Sequence, residues 1–279
     1  MSPAKISIVT PSLNQAVYLD ECLHSVMTQG ILDVEHIVVD GGSKDRSIEI
    51  LAGFAERCPY KFNWKSESDL GQSDALNKGF LKAEGEIIGW LNADDRYRPG
   101  ALESVQQVFR SYPNVDVVYG DYTWIDSDGA TIQQRREISF SPFVLLYHRV
   151  LYIQTAAVFF RRRVIDDGNL LDETLHYAMD FEFFVRLSAQ GYRFQHLSKF
   201  LGDFRFQPDS KTSLQPRKQL HETTAVMRQY SPILRHHSAG MFAGALTFGL
   251  RTTAGIRRYS EKALRGYYLT QFRSTTPHR

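Results

Sequence analysis

The chain contains, near its middle, the stretch Glu86-Ile87-Ile88-Gly89-Trp90-Leu91-Asn92-Ala93-Asp94-Asp95, and Pro99-Gly100 closes the segment. Its first six residues are an apolar run that predicts a buried strand, and clustered carboxylates follow that strand directly. In an α/β protein two acids at a strand end can lie beside a diphosphate if a divalent cation such as Mg²⁺ or Mn²⁺ sits between them. The same residues are equally typical of a solvated turn in which Asp95 caps the next helix.

Strand-like and helix-like patterns alternate ahead of this stretch. The predicted strands are residues 5–10, 36–40 and 61–65, and the predicted helices are residues 18–28, 43 or 45 to 57, and 74–83. Such βαβ alternation is typical of a parallel, doubly wound sheet flanked by helices. Ligands of this fold class bind in loops at the carboxyl ends of the strands.

The second half of the chain has a different pattern. Residues 115–125 favour a strand, residues 126–129 a turn, and residues 130–135 an antiparallel return. A further strand is predicted over 155–160, and a helix over 180–190 ends at Gly191. We therefore expect an α/β fold whose mainly parallel sheet becomes mixed at one edge.

Composition limits the class of protein. The 279 residues are 43% hydrophobic, which suffices for one large α/β core or a core with a small appendage. Cys22 and Cys58 are the only cysteines, too few for a disulfide framework, so we expect a cytoplasmic location. We see no signal peptide and no apolar run of about 18 residues, which favours a soluble or peripheral protein.

Charge divides the chain in two. Residues 215–279 contain eleven Lys and Arg against two Glu, a net charge of +9, whereas residues 1–214 carry −7. We expect a domain at 1–214 and a basic, amphipathic helical extension at 215–279. That extension can lie on the anionic inner face of a membrane, or it can pack on its own acidic body or on a second subunit. Nucleic acid is disfavoured because no binding motif accompanies the cations.

Two strand ends exclude familiar sites. The loop at Thr10-Pro11-Ser12-Leu13-Asn14 lacks the glycine spacing of a nicotinamide dinucleotide site. The loop at Asp40-Gly41-Gly42-Ser43 lacks the ligand spacing of an EF-hand. Asp40 at a strand end can accept a hydrogen bond from a ribose hydroxyl or a base N–H while the glycines allow close approach, or the loop is an ordinary turn.

Four strand-end motifs resemble, in order, those of family 2 glycosyltransferases with the GT-A fold. They are Ile8-Val9-Thr10-Pro11-Ser12-Leu13-Asn14, Val38-Val39-Asp40-Gly41-Gly42-Ser43, Asp69-Leu70-Gly71-Gln72-Ser73-Asp74-Ala75-Leu76-Asn77-Lys78-Gly79-Phe80 and Trp90-Leu91-Asn92-Ala93-Asp94-Asp95. The resemblance covers roughly residues 5–211. It implies a Rossmann-like GT-A fold that binds a nucleotide-diphosphate sugar of the UDP, GDP or dTDP type.

The resemblance also assigns site residues. Those that it places at the donor are Thr10, Pro11, Ser12, Asn14, Asp40, Gly41, Gly42, Asp69, Gly71, Gln72, Asp74, Asn77, Asn92, Ala93 and Asp94. The metal is Mg²⁺ or Mn²⁺, with Asp94 as first ligand and Asp95 as second. The family pattern has Asp where this chain has Asn92, so Asn92 is either a neutral oxygen ligand or a contact to ribose or sugar.

Three later segments resemble the catalytic half of the family. Asp180 corresponds to the Asp of a Glu-Asp motif that deprotonates the acceptor hydroxyl, and Met179 stands in place of the Glu. The alternative is that Asp180 caps a helix and Glu182 is a solvated neighbour. Gln154 is either a contact to a sugar hydroxyl or an edge residue. Arg205 and Lys211 resemble cations that close over the diphosphate and neutralise the leaving group.

The function that the resemblance implies is inverting, metal-dependent hexosyl transfer to a hydroxyl acceptor. A glycan or a lipid-linked acceptor is expected, in polysaccharide, glycolipid or lipid-linked oligosaccharide assembly. One alternative is a sugar-nucleotide or glycan-binding protein with little turnover, suggested by Asn92 and Met179. Another is a sugar nucleotidyltransferase, although the glycine-rich signature of that class is missing after the first strand. Paired carboxylates also suit a glycosidase, which needs no nucleotide-binding sheet.

Overall fold

Strands and helices alternate along the computed structural model, which describes residues 5–31, 33–148, 150–207, 214–236 and 241–268. The strands are β1 (Ile6–Ser12), β2 (Val34–Asp40), β3 (Lys61–Ser66), β4 (Ile87–Trp90), β5 (Arg96–Tyr97), β6 (Val117–Ile125), β7 (Thr131–Arg135), β8 (Val158–Arg161) and β9 (Phe194–Arg205). The helices are α1 (Leu19–Met27), α2 (Ser47–Arg57), α3 (Gln72–Lys82), α4 (Ala101–Ser111), α5 (Pro142–Tyr147), α6 (Arg163–Asp166), α7 (Met179–Ala189), α8 (Pro216–Tyr230) and α9 (Met241–Leu264). Short 3₁₀ helices lie at Thr155–Ala157 and Leu234–His236.

The nine strands form one sheet in the order β3-β2-β1-β4-β8-β6-β9-β5, and β7 pairs with β6. The strands β1 to β4 are joined in parallel, whereas β8 runs antiparallel to both β4 and β6. The predicted antiparallel return over 130–135 is confirmed as the β6–β7 pair. The α/β class and the mixed sheet are likewise confirmed. The strand predicted over 155–160 begins later, because residues 155–157 form a 3₁₀ helix.

Apolar side chains cover both faces of the sheet. Val9 of β1 packs in one cluster with Leu76 of α3. Its neighbour Ile8 packs in another cluster with Cys22 of α1 and Val105 of α4. Since successive residues of a strand point to opposite faces, helices lie on both sides of the sheet. The buried layers therefore fix β1, β2 and β4, and with them the loops that follow these strands.

The described part of the C-terminal extension packs on the body of the protein. Arg258 and Lys262 of α9 are only 1% and 7% exposed. Arg258 donates two hydrogen bonds of 2.8 and 2.7 Å to Glu137, and the Lys262 ammonium lies 2.9 Å from the same carboxylate. Of the alternatives for the extension, packing of its cations on its own acidic body is therefore the one observed for these two residues.

Helix α9 does not have the character of a membrane span. Within the described residues, every helix is too short or too polar to cross a bilayer. Residues 269–279, with the cations Arg273 and Arg279, lie outside the described part of the chain. The division between a domain at 1–214 and an extension at 215–279 stays a prediction, since residues 208–213 are also outside it.

Candidate active site

The acidic loop follows β4 and places its two carboxylates differently. Asp95 is 1% exposed, and its two carboxylate oxygens accept hydrogen bonds from the Arg205 backbone N–H at 2.9 Å and from the Asn92 amide at 3.3 Å. Asp94 is less buried, and its Oδ2 accepts from the Gln207 amide at 2.9 Å. Helix α4 begins after Gly100, so Asp95 does not cap it. Asp94 is thus the carboxylate with more room for an outside ligand.

The electrostatics of this loop favour a cation. Burial raises the pKa of Asp94, and burial together with the charge of Asp94 raises the pKa of Asp95 well above its usual range. Among the residues that the structure describes, no three His, Cys, Asp or Glu side chains converge on one metal position. Mg²⁺ commonly uses one or two carboxylates together with substrate phosphates and water. The donor set at Asp94 therefore fits a metal that is completed by a bound diphosphate.

The Asn92 side chain stabilises the acidic loop through four hydrogen bonds. Its amide oxygen accepts hydrogen bonds from Trp90 at 2.9 Å and from Gln72 at 3.0 Å, and its amide nitrogen donates to Asp95 and to Thr155. An Asp at this position would lose both donated bonds and would place a third negative charge beside Asp95. The Asn that departs from the family pattern thus matches its surroundings in this chain.

Arg205 lies differently from the expectation that it faces the diphosphate. Its side chain is 1% exposed, its Nε donates to the Asp94 carbonyl oxygen at 2.9 Å, and one terminal nitrogen donates to the carbonyls of Asp126 and Ser127. The other terminal nitrogen pairs with Glu21. These contacts engage the guanidinium within the protein, so Arg205 positions the acidic loop. Lys211, the second expected cation, lies outside the described residues.

The loop after β2 is organised by Asp40. This residue is fully buried, and its carboxylate accepts hydrogen bonds from the N–H groups of Gly42 and Ser43, from the Ser43 hydroxyl and from Ser66. The expected contact with a ribose or a base would have to compete with these bonds. Asp40 is therefore placed as the residue that shapes the loop.

The loops after β1 and β3 approach this one closely. A Cβ added at Gly41 would lie 2.5 Å from Asp69 Oδ2, so only glycine leaves that carboxylate in place. Asn14 has a left-handed φ of 54°, and its side-chain oxygen accepts from the Lys44 N–H at 2.8 Å. Asp69 itself accepts from the Gly71 N–H at 3.0 Å. The structure thus brings these predicted donor residues together at one end of the sheet.

The end of β1 contains both satisfied and unsatisfied polar groups. Thr10 is fully buried, and its Oγ1 lies 2.9 Å from Nε2 of His36 in the neighbouring strand. The Thr10 hydroxyl therefore has a partner within the sheet. Pro11 is buried beside it. Ser12 is 4% exposed, and its hydroxyl has no hydrogen-bond partner in the described part of the chain. A buried hydroxyl without a partner is costly, so Ser12 Oγ is suited to meet a polar atom of a ligand.

The start of α3 links the acidic loop to other elements. Gln72 donates a hydrogen bond to Asn92 of the acidic loop. Asp74 accepts hydrogen bonds from the Leu70 N–H at 2.9 Å and from the Lys78 ammonium at 2.8 Å. The Asn77 side chain donates to the Leu171 carbonyl and accepts from the Leu171 N–H. Asp74 and Asn77 therefore stabilise the loops around the site through contacts within the protein. Ala93 is 2% exposed and packs in the core.

Asp180 lies at the start of α7 in a cavity of about 220 Å³. Burial raises its pKa to about 6, while the Phe181 N–H donates to its carboxylate at 2.7 Å. The preceding Met179 is 8% exposed, and its sulfur accepts from the Ser73 hydroxyl. Because Ser73 follows Gln72, this contact connects the Asp180 region with the acidic loop. The residue that replaces the family's Glu thus anchors α7 to α3.

Glu182 and Gln154 complete the set of residues considered from the sequence. Glu182 is 5% exposed and pairs with Arg186, so it is not a solvated neighbour. Gln154 precedes Thr155, whose hydroxyl accepts from the Asn92 amide at 3.1 Å. The segment at Gln154 therefore lies beside the acidic loop, as a contact to the sugar would require.

Sequence reasoning missed two carboxylates that organise the site. Glu21 of α1 pairs with Arg205 and with Arg96. Glu222 of α8 accepts hydrogen bonds from the backbone N–H groups of residues 176–178, at 2.7 Å from Tyr177 and 2.9 Å from Ala178. The partners of Glu21 and of Glu222 are far from them in the chain, so local sequence patterns do not predict these contacts.

Comparison with known proteins identifies the class. The family model described as "Glycosyl transferase family 2" matches residues 7–184. The chain therefore belongs to the family 2 glycosyltransferases, which confirms the resemblance of its motifs.

Individual relatives agree with this class. The chain is 35% identical over 130 residues to an uncharacterised glycosyltransferase of Nostoc sp., covering 47% of this chain and 40% of the relative. It is also 35% identical over 122 residues to a PGL/p-HBAD biosynthesis glycosyltransferase of Mycobacterium tuberculosis, covering 43% and 48%. The chain thus spans less than half the length of each of these two relatives.

Solved structures share the fold. TarS of S. aureus in complex with UDP-GlcNAc superposes with a TM-score of 0.66 at 19% identity, covering 95% of this chain and 75% of that one. The mannosyltransferase PcManGT from Pyrobaculum calidifontis, in complex with GDP-Man and Mn²⁺, gives 0.65 at 16% identity, covering 91% and 74%. At these identities the likeness shows the fold alone, and it confirms the GT-A architecture.

Proposed function

We propose that the chain is an inverting glycosyltransferase that moves a hexose from a nucleotide-diphosphate donor to a hydroxyl acceptor. The observation that carries the proposal is the pair of carboxylate sites joined through α3. Asp94 follows β4, where the donor would bind, and Asp180, with its pKa raised to about 6, lines a cavity. Gln72 and Ser73 of α3 contact Asn92 and Met179, beside these two carboxylates. A general base is most effective when its pKa is near the working pH.

The reaction follows from these positions. Asp180 accepts the proton of the acceptor hydroxyl as the oxygen attacks the anomeric carbon from the face opposite the diphosphate. A new carbon–oxygen bond forms, and the bond to the nucleoside diphosphate breaks with its electrons going to the phosphate oxygen. Asp94, with Asp95 behind it, would hold a Mg²⁺ or Mn²⁺ ion that neutralises the leaving diphosphate. Ser12, Asp69 and the glycines at 41 and 42 would contact the donor.

The comparisons support a nucleotide-sugar donor without naming the base. TarS is solved with UDP-GlcNAc and PcManGT with GDP-Man and Mn²⁺. One relative is named for PGL/p-HBAD biosynthesis, in keeping with assembly of a glycolipid or another glycan. UDP, GDP and dTDP sugars therefore form the donor panel.

The test measures release of nucleoside diphosphate from this panel with and without Mn²⁺. We expect Asp180→Asn to lower kcat/KM about 10²- to 10⁴-fold with unchanged affinity for the nucleoside diphosphate. Asp94→Ala should lower turnover and remove the response to Mn²⁺. Asp33→Asn is the matched control, because Asp33 is exposed at the opposite end of β2.

The alternatives release no nucleoside diphosphate from this panel and are recognised by binding or by a second assay. A binding protein would hold the sugar nucleotide without turnover, and neither substitution would change that binding. A nucleotidyltransferase would release pyrophosphate from a nucleoside triphosphate and a sugar phosphate. Either result would overturn the transferase proposal.

A further inference from the structure

The cavity beside Asp180 is lined mainly by two distant parts of the chain, and Arg251 of α9 adds a cation. The body contributes Leu146, Tyr147, Leu151 and Phe181, and helix α8 contributes Gln219, Leu220, Thr223 and Met227. The family model ends at residue 184, so the α8 wall lies beyond the matched region. The cavity therefore has a wall that the shared family sequence does not provide.

Helix α8 also fixes the segment that leads to Asp180. The Glu222 carboxylate accepts the N–H groups of Tyr177 and Ala178, and the Tyr230 hydroxyl donates to Glu182 of α7 at 2.8 Å. Tyr177 lines the same cavity. Charge-assisted hydrogen bonds of this kind are stronger than neutral ones. One helix thus forms a wall of the cavity and holds the start of α7 in position.

The cavity lining combines apolar and aromatic residues with polar ones. Eight of its thirteen residues are Leu, Phe, Tyr, Met or Pro. The Tyr147 hydroxyl is bonded to Ser231 at 2.6 Å, which leaves the Tyr147 ring as its main surface for a ligand. Among the described lining residues, Asp180 is the single carboxylate, and Arg251 is a cation. A cationic group of a ligand is therefore disfavoured in the parts of the cavity that are distant from Asp180.

The size of the cavity limits which ligands can enter it. The cavity measures about 220 Å³, whereas an apolar cavity of about 150 Å³ holds a benzene molecule. A single aromatic ring or a short aliphatic segment fits here with a few further atoms.

We propose that α8 completes an acceptor site in this cavity, and that the site takes an acceptor whose hydroxyl group lies next to an aromatic or aliphatic group. The inference rests on the proposed function, since it assigns the acceptor of the same reaction. The hydroxyl lies at Asp180, and the apolar group packs between α5 and α8. Free, wholly polar sugars leave the apolar wall unused and react poorly.

The experiment compares acceptors that share a sugar and differ in what it carries. Nucleoside diphosphate release is measured with phenyl and octyl glycosides of glucose, galactose and mannose, and with the three free sugars. We expect at least about a tenfold higher kcat/KM for a phenyl or octyl glycoside than for its free sugar. The phenyl and octyl arms distinguish an aromatic from an aliphatic acceptor.

A matched pair of variants tests the α8 wall. Gln219→Trp fills the cavity, whereas Gln229→Trp adds the same side chain to an exposed position of the same helix. Gln219→Trp should abolish the preference for the glycosides and leave nucleoside diphosphate affinity unchanged, while Gln229→Trp should behave as wild type. Saturation-transfer NMR on the phenyl ring protons, with and without Gln219→Trp, reports binding independently of turnover.

The outcomes separate the two proposals. Donor cleavage with equal use of free sugars and glycosides, or an unaffected Gln219→Trp variant, would overturn the acceptor site alone. Absence of saturation transfer to the ring protons would overturn it as well. Failure to cleave any donor in the panel, even with water as acceptor, would overturn the proposed function itself.

Discussion

In the loops after β1 and β2, hydrogen bonds join residues of the same loop or of neighbouring loops, as between Asp40 and Ser43 and between Asn14 and Lys44. Around the Asp180 cavity, by contrast, contacts join segments far apart in the chain, such as Glu222 with Tyr177. The loops after β1 and β2 are therefore held by neighbouring elements, whereas the acidic loop after β4 also depends on Arg205 at the end of β9. The acceptor side depends on docking of α8 and α9. This difference predicts that a substitution can impair donor binding without acceptor use, or acceptor use without donor binding.

The largest effect is expected from Glu137→Gln, which leaves Arg258 and Lys262 buried without their partner. Breaking a buried ion pair typically costs about 3–5 kcal/mol, so we expect a lower free energy of unfolding by denaturant titration. If the two sides are separable, nucleoside diphosphate affinity stays near the wild-type value while acceptor use is lost. Glu49→Gln, at an exposed pair with Arg46, is the control and should change little. Equal loss of donor and acceptor binding would contradict the comparison.

A smaller effect, on the donor side, is expected from Gly41→Ala. The new methyl group must displace the Asp69 carboxylate, which lies 2.5 Å from the Cβ position. We expect about a tenfold weaker affinity for the nucleoside diphosphate by calorimetry, equivalent to about 1.4 kcal/mol, and unchanged use of the acceptor. Gly53→Ala in α2, where the Cβ meets no atom within 4 Å, should leave affinity as it is. Unchanged affinity in Gly41→Ala would show that Asp69 does not meet the donor.

A further effect concerns the stability of the protein at Asp180. Its pKa is raised from 3.8 to about 6 in the folded protein, so the native state holds this proton more tightly than the unfolded chain does. Ionisation therefore destabilises the native state as pH rises from about 4 through about 6. Asp180→Asn should be more stable than wild type by at most about 3 kcal/mol at pH 8, and most of the difference should be lost near pH 4. Denaturant titrations at the two pH values provide the measurement.

The activity of the wild-type protein should show the same pKa. The base must be ionised to accept a proton, so kcat/KM should rise with pH up to a plateau, with a midpoint near 6. A profile that is flat between pH 5 and 8 would contradict the role of Asp180.

Local sequence patterns were sufficient for the architecture of the donor side. β1, β2 and β4 were located by apolar runs of strand length that polar residues follow directly. Both features are properties of consecutive residues, so the sequence alone shows them. The order of the four motifs was sufficient for the family and placed Asp94 at a strand end, and a later segment that resembles the family's Glu-Asp motif placed Asp180 at the start of a helix. These placements depend on short segments whose backbone conformation follows from their own residues.

Only the tertiary structure decided which polar groups remain available to a ligand. Arg205 was expected at the diphosphate, yet its guanidinium is engaged by Glu21 and by backbone carbonyls from other loops. The basic extension suited either a membrane surface or the acidic body of the protein, and its cations Arg258 and Lys262 lie buried against Glu137. Hydrogen-bond partners that are more than 100 residues apart leave no trace in a local pattern, because they meet only when the sheet and helices have packed. The sequence by itself thus determined the fold class and the positions of the acidic residues, and packing determined the available polar groups and the wall of the Asp180 cavity.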